Sequence, residues 1–241
     1  MSCTKNTPRC ELGCLLRRCC YEHIKETFFY TIDLLTKHKI HHWMDNGTLL
    51  GALRHKDVIP WDNDCDVGIL AKDREKFLSL EKEVNSDGFW FYHYSDYMKE
   101  IRYSKKNRCN TDIIFHWVKP AYEHKLWWER EPPAGKSNLP EDYPPLLEEH
   151  IKDNIPIITS KLWGCQINHT TDIPYWFIKK LEKREFAGKM INCPRHPKKF
   201  IQFRYGDNWR YWYHWASNEY PAVGNVYPLT TSLDYVKKRM S

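Results

Sequence analysis

The 241 residues hold no stretch of eighteen apolar side chains, no internal repeat, no H-E-x-x-H spacing among twelve histidines, and no gathered run of lysine and arginine. Each absence excludes something. Without a long apolar stretch no membrane-spanning helix is expected. The opening MSCTKNTPRC lacks the apolar segment of a secretory signal, so the chain as written is expected to be soluble. With neither repeat nor clear linker, one folded unit is the economical expectation. The missing metalloprotease spacing leaves His41, His42, His116 and His214 as expected packing or surface residues. A net charge of +6 spread among acids suits an anionic ligand, and no nucleic-acid partner is expected.

What is present is a chain 41% hydrophobic and 15% aromatic, enough to bury a sizeable core, which excludes wholesale disorder. Leu16, Cys20, Ile24, Phe28 and Leu35 recur at helical spacing and predict one amphipathic helix from Leu15 to about Lys37. KIHHWMD (39–45) reads as a strand, GTLLGALRH (47–55) as a short helix after a glycine turn, and DCDVGIL (64–70) as a period-two strand. A helix is expected over 72–85, β structure in FWFYHYS (89–95), and a strand over 111–118. Five prolines between 131 and 145 predict a long loop, and DIPYWFIKKLEKREF (172–186) a helix. The alternation of short elements is that of an α/β or α+β fold.

The chemistry concentrates in NGTLLGALRHKDVIPWDNDCDVGIL (46–70), where Asp62, Asp64 and Asp66 alternate. On a strand, Asp64 and Asp66 share a face while Cys65, Val67 and Ile69 point to the core. Their Cα atoms then stand about 6 to 7 Å apart, close enough to converge on one divalent cation. A solvated acidic edge is the rival for an isolated D-x-D. A calcium loop is disfavoured, because it needs Gly at its sixth position and usually Glu at its twelfth, where Val67 and Asp73 stand. Gly47 and Thr48 open a helix whose unpaired N–H groups suit a phosphate, and Arg54 and His55 follow as candidates to offset its charge.

These residues, G-T-L-L-G-A-L-R-H followed by I-P-W-D-N-D-C-D, resemble the signature of the LicD family, in its fukutin-related branch of the nucleotidyltransferase-like superfamily. The resemblance implies an α+β fold with a nucleotidyltransferase-like mixed sheet flanked by helices. It implies a further carboxylate on a neighbouring strand, matched here by Asp112 in NTDIIFHW. The expected metal ligands are thus Asp64, Asp66 and Asp112, holding Mg2+ or Mn2+, with Asp62 beside them in the catalytic set and Gly47, Thr48, Arg54 and His55 on the donor.

Nine cysteines include five within the first twenty residues. Cys10, Cys14, Cys19 and Cys20, with Cys3 in reserve, are crowded enough for a tetrahedral zinc ion, with paired disulfides or buried helix cysteines as rivals. The fukutin-related branch is similar in carrying a cysteine-ligated zinc loop before the same helix. The expected organisation is a Cys-rich zinc-binding segment, 1–20, followed by a LicD-type catalytic domain, 21–241.

The resemblance implies transfer of a phospho-alditol (ribitol 5-phosphate) or phosphocholine from a CDP-linked donor to a glycan or glycoprotein acceptor, with release of CMP. It places such an enzyme in the Golgi lumen, although neither signal nor anchor is written here. The alternatives are a nucleotidyltransferase using an NTP and an inactive glycan-binding relative.

Overall fold

The fold is described from a computed structural model, over residues 3–9, 11–12, 15–16, 18–59, 62–119, 157–159, 173–205 and 209. The expectations for the 131–145 loop, for Cys10 and Cys14 and for His214 lie outside these residues.

A first helix, α1 (Arg18–Lys37), buries Cys20, Ile24, Phe28 and Leu35 as their spacing predicts. It starts later than expected. Leu15–Leu16 (β2) instead pairs antiparallel with Glu11–Leu12 (β1), so the backbone before Arg18 is held in a ladder and not in a helical turn. The predicted strand shortens to β3 (His42–Met44), because Lys39 at φ 51° turns the chain just before it. Next come α2 (Asn46–Arg54) and β4 (Asp64–Leu70), close to their expected limits.

The helix expected over 72–85 is broken. A 3-10 turn (Ala71–Asp73) leads into α3 (Arg74–Leu78), and α4 (Glu81–Ser86) begins only after Ser79 and Leu80. The Ser79 hydroxyl donates to the Lys76 carbonyl at 2.7 Å and so competes for the helix's own acceptors. Two antiparallel strands follow, β5 (Trp90–Tyr92) and β6 (Met98–Arg102), and then β7 (Asn110–Lys119). Of these three, only β6 was not foreseen.

These strands form a mixed sheet in the order β3-β4-β7-β6-β5, with β4 and β7 parallel and the other neighbours antiparallel. The far end of β7 also pairs with β8 (Ile157–Thr159), which pairs with β9 (Ile173–Pro174). The helix α1 packs across β4, β6 and β7. Cys65, Val67, Ile69, Ile101, Ile113 and Phe115 are almost wholly buried, the alternate positions that face this layer. The opposite face carries the aspartates.

The helix expected over 172–186 is corrected to a one-turn helix (Trp176–Lys179) followed by a hairpin, β10 (Glu182–Phe186) with β11 (Lys189–Cys193). Its two-residue turn has Ala187 at φ 46° and Gly188 at φ 80°, the left-handed backbone that such tight hairpins require. Phe186 is wholly buried, its ring edge-on to Phe28 of α1 at 4.9 Å, and that contact anchors the hairpin. A last helix (Pro197–Tyr205) packs against α2. No helix among the described residues is long and apolar enough to cross a membrane.

Candidate active site

The parallel register of β4 and β7 sets Asp66 directly beside Asp112, and Asp64 beside Asn110. On the other side of β7, Glu100 of β6 stands opposite Asp112 and Arg102 opposite Asn110. Because residues paired across neighbouring strands share a face, Asp66, Asp112 and Glu100 form one row, and Asp64, Asn110 and Arg102 the next. A buried like-charge row destabilises a sheet unless something offsets it. Glu100 is offset by Arg102, whose Nε lies 2.6 Å from its carboxylate. Asn110 Nδ2 donates to Asp112 Oδ1 at 2.5 Å.

The aspartates themselves are half-buried and crowded. Burial, and then the charge of Asp66, push the Asp62 carboxyl up to about 7. Asp64 is raised by burial and then by Asp62, with Arg9 acting the other way. Asp66 is raised by burial and then by Asp64 and Asp45, and Asp112 by burial and then by Asp64, Asp66 and Glu100. Four carboxylates in so little solvent do not all ionise unless a cation joins them. Oxygen-only donors of this kind suit Mg2+ or Mn2+. Their charges act on one another across a shared space, but no three of the carboxylates bring their oxygens within 4.8 Å of one another. Among the described residues the one group of three whose ligand atoms lie within 4.8 Å of one another is Cys3, Cys19 and Cys20.

The start of α2 touches the same space. A Cβ on Gly47 would fall 2.6 Å from Asp62 Oδ2 and 3.4 Å from Asp66 Oδ2, so only glycine lets the helix approach the carboxylates this closely. The positive φ of this turn belongs to Asn46, at 36°, and not to the glycine. Thr48 is buried, and its hydroxyl accepts the Asp66 N–H at 2.6 Å, so its side chain positions Asp66. Arg54 and His55 lie at the other end of α2, about 10 Å along its axis from Gly47. Burial, and then the neighbouring Arg54 charge, lower His55 to about 4, so at neutral pH it brings no positive charge.

Several residues escaped the sequence reading. Asp45 caps α2, its carboxylate accepting the Asn46 N–H at 3.0 Å, and its residue type directly before a helix was an available signal. Glu100 and Arg102 carried none, since only the pairing of β6 with β7 brings them here. The cysteines are divided. Cys3 Sγ lies 3.3 Å from Cys19 Sγ and 3.4 Å from Cys20 Sγ. Cys109, at the start of β7, contacts Cys20.

The site thus lies on a mixed α+β sheet that lines up carboxylates from adjacent strands beside a helix opened at Gly47. Residues 39–148 match the family model described as LicD/FKTN/FKRP, nucleotidyltransferase domain, and this stretch is a domain of that family. The chain is similar to ribitol 5-phosphate transferase FKRP of Mus musculus, at 26% identity over 196 residues, which cover 78% of this chain and 32% of the relative. It is also similar to the lipopolysaccharide cholinephosphotransferase LicD of Haemophilus influenzae, at 40% identity over 51 residues, 21% of this chain and 19% of that one. The chain thus spans about a third of the length of the first of these relatives. Among solved structures, the lincosamide adenylyltransferase LnuA aligns over 73% of this chain and 84% of its own at 15% identity, with a TM-score of 0.36.

Proposed function

We propose that this chain is a metal-dependent phosphotransferase that moves ribitol 5-phosphate, or phosphocholine, from a CDP-linked donor to a sugar hydroxyl of a glycan and releases CMP. The observation that carries the reading is the alignment of Asp66 with Asp112 across β4 and β7, beside Asp64 and within reach of Gly47 at the start of α2. Asp64, Asp66 and Asp112 would hold Mg2+ or Mn2+. When bound there, the ion would neutralise the donor's diphosphate and the charge that grows on CMP as it departs.

The chain's own groups supply the rest. The acceptor hydroxyl attacks the phosphorus that bears the alditol or choline, Asp62 takes the hydroxyl proton, and the bond to the CMP phosphate breaks with its electron pair leaving on CMP. The first N–H groups of α2, at Gly47 and Thr48, face the phosphates as donors. Arg54, at the far end of α2, would offset donor charge through the reach of its long side chain, while the neutral His55 would add none, so the metal and the backbone would meet most of that charge.

The cysteine cluster belongs to the same proposal as a structural zinc site. Two thiolates on one tetrahedral zinc stand about 3.8 Å apart, while a disulfide brings sulfurs to about 2.05 Å. The separations of 3.3 and 3.4 Å from Cys3 lie near the zinc value and far from the disulfide value. Cys3, held in reserve by the sequence reading, therefore joins Cys19 and Cys20 as a proposed ligand, and Cys10 and Cys14 lie outside the described residues.

The test is turnover. CDP-ribitol and CDP-choline are incubated with the protein, Mn2+ or Mg2+, and a sugar acceptor, and CMP is measured. CMP release that depends on both acceptor and Asp66 supports the proposal. Pyrophosphate release from an NTP would assign nucleotidyl transfer, and no turnover with either donor class would leave an inactive glycan-binding relative.

A further inference from the structure

We propose that the buried Asp45–His116 pair is the positioning device of the aspartate site: it locks the turn into α2 onto β7 and so sets where Asp66 stands relative to Asp112. The inference rests on the metal reading above and adds two residues that do not touch the metal.

The geometry forms a closed circuit. His116 lies four residues beyond Asp112 on β7, on the same face of the sheet. Its Nε2 lies 2.7 Å from Asp45 Oδ2, and both side chains are 0% exposed. A carboxylate only accepts, so Nε2–H is the donor. The other oxygen, Asp45 Oδ1, accepts the Asn46 N–H at 3.0 Å, which fixes the first residue of α2 in its left-handed backbone at φ 36°. The Asp45 carbonyl accepts the Leu49 N–H at 2.9 Å, and the Asp45 N–H donates to the Asp66 carbonyl at 3.1 Å. Thr48 then accepts the Asp66 N–H at 2.6 Å. Both main-chain groups of Asp66 are therefore held by the start of α2, and that start is held by His116.

An apolar contact between β7 and α2 would avoid the desolvation of two buried polar side chains. It would not fix direction. The hydrogen bond from His116 does, because rotating the Asp45 carboxylate to keep one of its two partners loses the other. Trp43 packs beside the imidazole, its ring 5.2 Å away, and limits its rotation.

The test compares three variants in the full, zinc-loaded chain by Mn2+ titration, with Asp66→Asn as the blank. Gln can place an amide donor near the position of Nε2, so His116→Gln is expected to bind Mn2+ within threefold of wild type. His116→Phe removes the donor and is expected to weaken Mn2+ at least tenfold while still melting cooperatively. If His116→Phe does not fold, Asp45→Asn combined with His116→Phe keeps a helix cap without the buried charge, and the same tenfold loss is expected there. A folded variant without the donor that binds Mn2+ within threefold of wild type overturns the proposal.

Amide exchange separates this outcome from failure of the metal reading. If wild type itself shows no Asp66-dependent Mn2+ binding, the metal assignment fails, and exchange at residues 46–49 and 66 decides the pair. Exchange accelerated there in His116→Phe and restored in His116→Gln upholds it, and unchanged or uniformly accelerated exchange overturns it.

Discussion

Gly47 and Gly68 are both too crowded for a Cβ, and the difference lies in what crowds them. At Gly47 the nearest atom is the tip of the Asp62 carboxylate, 2.6 Å from an added Cβ, and a side-chain tip can swing away. Gly47→Ala is therefore expected to fold with a melting temperature near wild type and to lose turnover by at least about tenfold, or 1.4 kcal/mol of barrier, because Asp62 is pushed out of place. At Gly68 the added Cβ would fall 2.4 Å from the Trp43 ring, which is fully buried and has nowhere to go. Gly68→Ala is expected to destabilise the fold by about 1 to 3 kcal/mol in a denaturant titration, as overpacking does. Asp64→Asn completes the contrast. It removes the charge that repels Asp66 and Asp112 and is expected to raise the metal-free melting temperature while abolishing turnover.

Elements contribute by bringing charges together that are far apart in sequence. Asp66 and Asp112 meet because β4 and β7 are parallel neighbours, and Glu100 joins them because β6 runs back along β7. The β10–β11 hairpin is set apart from this row. Gly188, at φ 80°, has no atom within 4 Å of an added Cβ. Gly188→Ala is thus expected to lose about 1 to 2 kcal/mol of stability to backbone strain alone, with turnover unchanged. A fall in turnover would tie the hairpin to the site. The amino-terminal segment behaves differently, because Cys3 lies in the same core as Cys20 and Cys109. Cys20→Ser is expected to release the proposed zinc and lower the melting temperature together, as metal analysis and thermal melts of one sample would show.

For the whole molecule the crowded carboxylates are expected to make stability depend on pH and, in the proposed reading, on metal. An aspartate whose folded pKa lies above its unfolded value of about 3.9 holds its proton more tightly when folded. Its contribution therefore falls as pH rises from about 4, and the loss is complete above the folded value, about 7 for Asp62. The protein without Mg2+ or Mn2+ is expected to melt at a higher temperature at pH 5 than at pH 7.5. Partial exposure of the aspartates limits the size of the difference. Mn2+ at about a hundred times its dissociation constant is expected to restore about 2.7 kcal/mol at pH 7.5, and much less at pH 5, where protons compete for the same oxygens. Melting curves at the two pH values, with and without Mn2+, check both signs.

Local pattern by itself determined α1, α2, β4 and β7, because their apolar spacing and the turn before α2 are set by neighbours within a few residues. It also marked Asp62, Asp64 and Asp66 as the candidate site, since three alternating like charges are conspicuous in one dimension. Only the tertiary structure decided what surrounds them. Strand order placed Glu100 and Arg102 beside Asp112, and a hydrogen bond across 71 residues joined His116 to Asp45. Burial left His55 neutral, and the docking of the amino-terminal segment carried Cys3 to Cys19 and Cys20. The hairpin that replaced a predicted helix has the same cause. LEKREF has a pattern that either period can use, and the Ala187–Gly188 turn with the burial of Phe186 against Phe28 settled it. Pairing, desolvation and long-range contact depend on where distant residues meet, and no window of local sequence records that.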